Sequence, residues 1–221
     1  MKRWILILFV LSGLTIFAQD DTQEFSTIFG SNFESGGYGA PELKLGQVND
    51  EMSLFVGGRG GWIIGHNFVL GGAGYGLTTN NTFNSIEMVT DSLGNSAMAD
   101  RKLKIDMGYG GLLLEYIAMP KKAIHLAFPL IIAAGGASVG EKVDSDPNNQ
   151  DPAEWTSYNY IESSAFFLVE PGVNLELNMV KFFRLNIGAS YRFVSGTNMV
   201  RLNNSDLSDF TFNLALKFGM F

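Results

Sequence analysis

The two histidines are the residues of this chain with the most direct potential for chemistry. The sequence holds only His66 and His125, and each lies beside a short connection between two segments of alternating polarity. Imidazole can bind zinc or act as a general base, but a zinc site needs about four ligands in all. No further ligand set is evident, and turn histidines are more often plain polar residues. We therefore predict neither a metal nor another cofactor.

An acidic stretch, "EKVDSDPNNQDPAEW" (141–155), carries enough side-chain oxygen atoms to suggest calcium. Its spacing begins like an EF-hand loop. Asn149, however, stands where the turn glycine belongs, and Trp155 stands where the bidentate glutamate belongs. A solvated acidic loop is the preferred interpretation. The oxygen ligands of the calcium alternative would be Asp144, Asp146, Asn148 and Asp151.

A glycine-rich block, "GGRGGWIIGHNFVLGGAGYG" (57–76), contains two loose matches to phosphate-binding loops. Such loops bind phosphate because they open a helix, and no helix is predicted after either match. Glycines inside strands also let a small barrel curve and let large neighbours pack closely. The block therefore indicates two curved strands, and a nucleotide site is rejected.

Charged residues form the largest patterned set. They recur at every second position within segments whose other positions are apolar, with six basic and five acidic members. This balance predicts an ion-pair network inside a barrel. Glu115 joins it only if a bulge near Gly110–Gly111 changes the phase of its strand. The predicted lumen network is Glu42, Lys44, Arg59, Lys104, Asp106, Glu115, Glu170, Glu176, Arg184, Arg192 and Lys217.

Alternating segments of the length of tilted spanning strands would position these charges. The connections after the third, fifth and seventh segments (79–101, 140–161 and 195–209) are long and polar, and the connections after the second, fourth and sixth are short. This asymmetry is typical of outer-membrane barrels. The predicted strands are at about 37–46, 52–64, 68–78, 102–117, 123–139, 162–177, 182–194 and 210–221.

Periodicity alone leaves open whether the apolar face points inward, as in a soluble lipocalin-like barrel, or toward lipid. Aromatic residues fall near both rims, as in an interfacial belt, and this favours lipid. We therefore predict an all-β, eight-stranded, antiparallel, up-and-down transmembrane β-barrel. The predicted belts are Tyr38, Trp62, Phe68, Tyr116, Phe182 and Phe221 at one rim, and Tyr75, Tyr109, Tyr158, Tyr160, Tyr191 and Phe193 at the other.

The N-terminus has the layout of a secretory signal peptide, with Lys2 and Arg3 before an apolar stretch that is short for a membrane span. We predict a signal peptide at 1–18, a periplasmic segment at 19–36 and a barrel at 37–221. For the segment 19–36, the sequence leaves three alternatives: a short helix, a plug or a disordered tail. An acidic exported chain, with a net charge of −7 before cleavage, argues against nucleic-acid binding.

The signal-like start, the alternating final strand "FTFNLALKFGMF" and the terminal aromatic carry a resemblance. On these features the chain resembles small eight-stranded outer-membrane β-barrel proteins of Gram-negative-type bacteria, the OmpA/OmpX-like barrel class. The resemblance implies outer-membrane localisation, outer-membrane lipid and the barrel-assembly machinery as partners, and Phe218 and Phe221 as the assembly signal. The class includes adhesins, anchors, conduits and lipid-modifying enzymes, so the resemblance does not choose a function.

Eight strands leave an interior that side chains can fill. We therefore predict a non-enzymatic barrel whose surface loops, 79–101, 140–161 and 195–209, serve adhesion, envelope integrity or partner binding. One alternative is a conduit for small apolar molecules with a lateral opening near Pro129 or Pro171. The other is a lipid-modifying barrel enzyme, which would need a Ser/His/acid group at the rim opposite to both histidines.

Overall fold

The structure, a computed structural model, describes residues 34–90, 94–142 and 158–221. The predicted signal peptide, residues 19–33 of the predicted periplasmic segment and residues 143–155 of the acidic stretch, with its calcium alternative, lie outside this part of the chain. Within it, no helix has the length and hydropathy that a membrane span would need.

Nine antiparallel strands account for most of the described chain, and each of the eight predicted strands corresponds to one of them. The ninth lies in the predicted loop 79–101. The strands are β1 (Ser35–Val48), β2 (Glu51–Ile64), β3 (Phe68–Leu77), β4 (Asn81–Thr90), β5 (Ser96–Ala118), β6 (Ile124–Lys142), β7 (Tyr158–Val180), β8 (Phe183–Ser195) and β9 (Asp209–Met220).

Eight of these strands close into a ring, which confirms the predicted fold class. β1 pairs with both β2 and β9, and the ring is completed where β3 pairs with β5, from Phe68↔Tyr116 to Gly76↔Gly108. Ring closure leaves no open sheet edge around the wall, so its backbone groups pair with one another. We call the end with the long connections the loop end and the opposite end the turn end.

β4 corrects the description of 79–101 as a loop. It pairs only with the first half of β5, from Asn81↔Ile105 to Thr90↔Ser96, and so forms a hairpin that stands beyond the ring. The sequence did not predict this strand because polar residues in it obscure the alternation of apolar and polar positions. In the structure, Ile86, Met88 and Met98 are strongly exposed along one face of the hairpin. The loop end therefore carries a projecting hairpin.

The wall is apolar outside and polar inside along β9. Phe212 is 68% exposed and Leu214 43%, whereas the intervening Asn213 is 6% exposed and Lys217 0%. A soluble barrel would show the opposite arrangement, because its apolar face forms the core. The outward apolar face that the sequence predicted for β9 is thus present.

The predicted bulge in β5 is absent. Pairing with β3 and β6 runs without a break through Gly110–Gly111. Every buried side chain of β5 has an odd residue number, so all of them share one parity and point into the barrel. The apparent change of phase has another cause, because the inner face itself changes from apolar to charged. Leu103 and Ile105 point inward near the loop end, and Glu115 points inward near the turn end.

The aromatic belts also need correction. Four members of the predicted belts, Tyr38, Tyr75, Tyr109 and Phe221, lie against the interior core. The remaining members with described side chains lie on the outside, fully exposed or half-buried. A ring points into the lumen or outward according to whether its residue stands at an inward or an outward position of its strand. Its height along the barrel axis alone does not determine this direction.

Candidate functional site

The middle and the turn end of the lumen hold a dense charge network. Nine of the eleven predicted members point into the lumen, none more than 6% exposed; eight lie in this part, and Arg192 lies nearer the loop end. Charges can be buried only where they are paired and hydrogen-bonded, because each loses its hydration on folding. The nine are Glu42, Lys44, Arg59, Glu115, Glu170, Glu176, Arg184, Arg192 and Lys217.

Lys104 and Asp106 were wrongly assigned to this network. They have the outward parity of β5 and pair with each other, Nζ to Oδ1 at 2.8 Å, with side chains 18% and 37% exposed. The incorrect phase that the sequence suggested for β5 placed both on the inside.

Arg59 joins two strands across the lumen. Its Nε lies 3.1 Å from Glu42 Oε2, and its Nη1 lies 3.3 Å from Glu115 Oε2. Lys217 then contacts the other oxygen of Glu115 at 2.7 Å. These pairs connect β2, β1, β5 and β9, so the network fixes strands that are far apart in the ring.

Glu176 is the centre of the turn-end half. It pairs with Lys217, and its Oε2 lies 3.2 Å from His125 Nε2 and 3.7 Å from Arg184 Nη1. Asn186 Nδ2 donates to its other oxygen at 2.9 Å. One carboxylate therefore neutralises cations from β8 and β9 and also contacts β6.

Glu170 has the same role nearer the loop end. It accepts hydrogen bonds from Lys44 Nζ at 2.6 Å, Tyr109 OH at 2.9 Å, Ser190 Oγ at 2.5 Å and Thr211 Oγ1 at 3.3 Å. With this many donors the carboxylate replaces its lost water almost completely. The arrangement stabilises the wall and leaves little free coordination for a reaction.

Sequence reasoning missed the neutral polar groups that complete the network. Tyr75 OH donates to Glu42 at 2.7 Å, Tyr38 OH to Glu115 at 3.4 Å and Asn213 Nδ2 to Glu42 at 2.9 Å. Lys44 Nζ also lies 3.8 Å from the centre of the Tyr75 ring. The available signal for Tyr38 and Asn213 was position, because they alternate in register with the inward charges Glu42 and Lys217 of their own strands. β3 carries no charge, so Tyr75 had no such signal.

The histidines differ more than their positions in sequence suggested. His125 is buried beside Glu176, whereas His66 lies in the β2–β3 turn and hydrogen-bonds to Glu34. That hydrogen bond, with the charge of His66, lowers the pKa of the exposed Glu34 carboxyl. Among the described residues no three His, Asp or Glu side chains form a group that could hold a metal ion.

The loop-end half of the lumen is filled by apolar side chains. Residues 196–208, which we call the lid, contain a one-turn helix α1 (Asn204–Leu207) that packs against β8 and β1. The lid contributes three buried residues to the interior core, Met199, Leu202 and Leu207. The barrel core beneath it includes Val48, Phe55, Leu103, Ile105, Val139, Phe166, Leu168 and Val194.

Pro171 marks an irregularity in the wall. Pairing between β7 and β8 skips from Val169↔Phe193 to Gly172↔Ser190, and an apolar hollow of ≈ 340 Å³ opens on the outer surface beside it. Ser190 lines this hollow and also a small cavity among the lumen charges. The wall is therefore thin here, but the neighbouring Glu170 is fully engaged.

The predicted assembly signal lies at the turn end of β9. Phe218 points outward and stacks on Phe183 with ring centres 5.0 Å apart. Phe221 instead packs in the mouth, 6.4 Å from the Tyr38 ring and 3.9 Å from the Arg184 guanidinium carbon. Recognition of these residues by an assembly machinery stays a prediction.

Comparison with known proteins finds similarity in solved structures alone. Neither a protein-family model nor a curated protein matches the chain. Neisserial surface protein A is 10% identical, with a TM-score of 0.49 over 85% of this chain and 97% of that chain. The attachment invasion locus protein of Yersinia pestis, in complex with a heparin analogue, is 10% identical, with a TM-score of 0.46 over 84% and 98%.

The N-terminal β-barrel domain of Pseudomonas aeruginosa OprF is also 10% identical, with a TM-score of 0.43 over 85% of this chain and all of that domain. At these identities and TM-scores the similarities assign neither an activity nor a ligand.

The class of protein follows from the chain's own geometry. A closed antiparallel ring with an apolar exterior and a charged, filled interior is a small transmembrane β-barrel, because lipid admits strands only when every backbone group is paired.

Proposed function

We propose that this protein is a non-enzymatic barrel of the outer membrane of a Gram-negative-type bacterium and that it acts at the cell surface through its loop end. The supporting observation is the filled lumen. Apolar side chains and the lid occupy its loop-end half, and paired charges occupy the rest. Because the described lumen is filled in this way, the surface elements are left for adhesion, envelope integrity or partner binding.

Within the loop end, the β4–β5 hairpin is the best candidate for contact with a partner. It projects beyond the ring, and Ile86, Met88 and Met98 are 73%, 71% and 70% exposed on one face. Exposed apolar side chains grouped on one surface are typical of interaction sites. The hairpin is also anchored at its base, where Asn81 Nδ2 donates to Ser53 Oγ at 2.7 Å.

Replacing Ile86, Met88 and Met98 together by serine should reduce cell adhesion severalfold while the barrel still folds. The measurement is binding of intact cells to immobilised matrix proteins and to one another, with folding checked by the shift in gel mobility on boiling. Met52→Ser, at a residue 79% exposed near the start of β2, is the control. Resistance of the cells to detergent is measured as well, as a readout of envelope integrity. A surface role would be refuted if adhesion and detergent resistance were both unchanged in the triple variant and in a strain that lacks the protein.

A conduit for small apolar molecules is the second candidate, and the hollow beside Pro171 is the observation that favours it. The closed loop end weighs against it. Vesicles that contain the barrel should therefore take up small apolar molecules no faster than protein-free vesicles. The lipid-modifying enzyme lacks comparable support, because both histidines lie at the turn end, away from the rim where such a site is required.

A further inference from the structure

Arg192 is the one described lumen cation without a carboxylate partner, and it points to a binding site. The other four, Lys44, Arg59, Arg184 and Lys217, each lie within 4.0 Å of a glutamate oxygen. The described lumen thus holds five Lys or Arg side chains against four glutamates. Asp209 stands opposite Arg192 in the β8–β9 register but makes no ion pair with it, so Arg192 is the cation of these five that lacks a carboxylate oxygen within 4.0 Å.

The surroundings of Arg192 make this charge costly. The side chain is 0% exposed, and its guanidinium carbon lies 4.7 Å from the centre of the Phe55 ring. Nε donates to Leu207 O at 2.7 Å and Nη2 to Gln47 O at 2.9 Å, while Nη1 has no hydrogen-bond partner among the described residues. Neutral carbonyls compensate a buried charge only in part. An apolar residue would fill this position at lower cost, which indicates a role for the charge.

The lid is held at the loop end by several polar contacts. Apart from the Arg192 bond to Leu207, Asn49 N donates to Asp206 O at 2.7 Å, and Val194 N donates to Ser208 Oγ at 2.9 Å. Asn198 N donates to Ser164 Oγ at 2.9 Å, and Glu162 accepts from Val200 N and pairs with Arg201 at 3.0 Å. All of these contacts lie at the surface end of the lumen, where water can replace them. If the lid moves, Met199, Leu202 and Leu207 leave an apolar chamber whose polar end is the arginine.

We propose that the loop end of the lumen is a binding site for an amphiphile with one anionic head group and one apolar chain. The head group pairs with the Arg192 guanidinium, whose planar fork matches a carboxylate or a phosphate. The chain takes the volume that Leu202, Leu207 and Met199 fill in the closed state. In the closed state the lid side chains therefore fill the binding site, and the ligand displaces them when it binds. This inference is independent of the adhesive role proposed above.

A single-cysteine reporter can test the site, because the chain contains no cysteine. Val200, 91% exposed on the lid, is replaced by cysteine and labelled with an environment-sensitive fluorophore, in vesicles of phosphatidylcholine. Dodecanoate, dodecyl phosphate, dodecanol and dodecyltrimethylammonium are titrated in turn. We expect a saturable change in emission with the two anions and none with the alcohol or the cation. The stronger anion identifies a carboxylate or a phosphate ligand.

Arg192→Gln should raise the concentration for half-saturation at least about tenfold, because a charge-assisted pair is lost. Lys104→Gln, at the outward-facing Lys104–Asp106 pair of β5, is the control and should leave it unchanged. If Arg192→Gln fails to fold, Arg192→Lys and the head-group series on the parent reporter decide. Equal responses to dodecanol and dodecanoate, no saturable response, or unchanged affinity in the folded Arg192 variant would each overturn the proposal.

Discussion

Glu176→Gln should lower the free energy of unfolding by about 3 kcal/mol, the low end of the loss expected when one partner of a buried ion pair is removed. The substitution keeps the size of the side chain and removes its charge. Lys217, His125 and Arg184 would then face a neutral amide inside a lumen where Glu176 is 0% exposed. Lys217 keeps its contact with Glu115 at 2.7 Å, which limits the loss.

Urea unfolding of the barrel in vesicles, followed by tryptophan fluorescence, measures this effect. Asp106→Asn is the control, because the Lys104–Asp106 pair is on the outside and partly exposed, and its loss should cost at most about 1 kcal/mol. Adding Lys217→Met to Glu176→Gln should recover part of the loss, since the buried ammonium that pairs with Glu176 then no longer faces the amide. Arg184 still faces the amide, and Glu115 keeps Arg59, so the recovery is partial. An unfolding midpoint for Glu176→Gln equal to that of the parent would show that the network contributes nothing.

Gly71→Ala should destabilise the barrel by about 3 kcal/mol or prevent folding, because overpacking against fixed atoms has few ways to relax. A Cβ atom at this position would lie 2.0 Å from Gly60 O and 2.6 Å from Gly61 Cα. Both atoms belong to the backbone of β2, which is paired along its whole length and has no flexible end to move aside.

Gly76→Ala is the matched control on the same strand. A Cβ there meets no atom within 4 Å, since Gly76 faces outward, and the change should stay within about 0.5 kcal/mol. Comparing the urea midpoints and the boiling-dependent gel shift of the two variants separates close packing from loss of glycine flexibility. Equal destabilisation by both substitutions would contradict the packing explanation, because both remove the same conformational freedom.

The sequence predicted the strands of the ring because burial in a closed wall imposes a strict period of two. β9 shows this best, since each of Phe212, Leu214 and Leu216 alternates with a buried residue. Charged members of the network such as Lys44 and Glu170 were predicted for the same reason. A charged side chain is tolerated on the lumen face of the wall and not on the lipid face. The polarity of these residues and their positions along the strand therefore both predicted that they point inward.

The same reasoning failed where a residue type suits both faces. Tyr38, Tyr75 and Tyr109 can serve a membrane interface or donate to a lumen carboxylate, and tyrosine chemistry does not distinguish the two. β5 was misjudged because its inner face is apolar near Leu103 and charged near Glu115. The lid was missed because Leu202 and Leu207 stand among polar residues, without a period that would predict their burial.

Spin-label accessibility along β9 tests most directly whether the apolar face meets lipid and the charged face fills the lumen. Single cysteines at positions 212 to 216 would be labelled in vesicles, and relaxation by oxygen compared with relaxation by a water-soluble nickel complex. We predict high oxygen accessibility at Phe212, Leu214 and Leu216, and low accessibility to both reagents at Asn213 and Ala215, which are 6% and 0% exposed. High oxygen accessibility at Asn213 and Ala215 with protection of the even positions would contradict a transmembrane barrel.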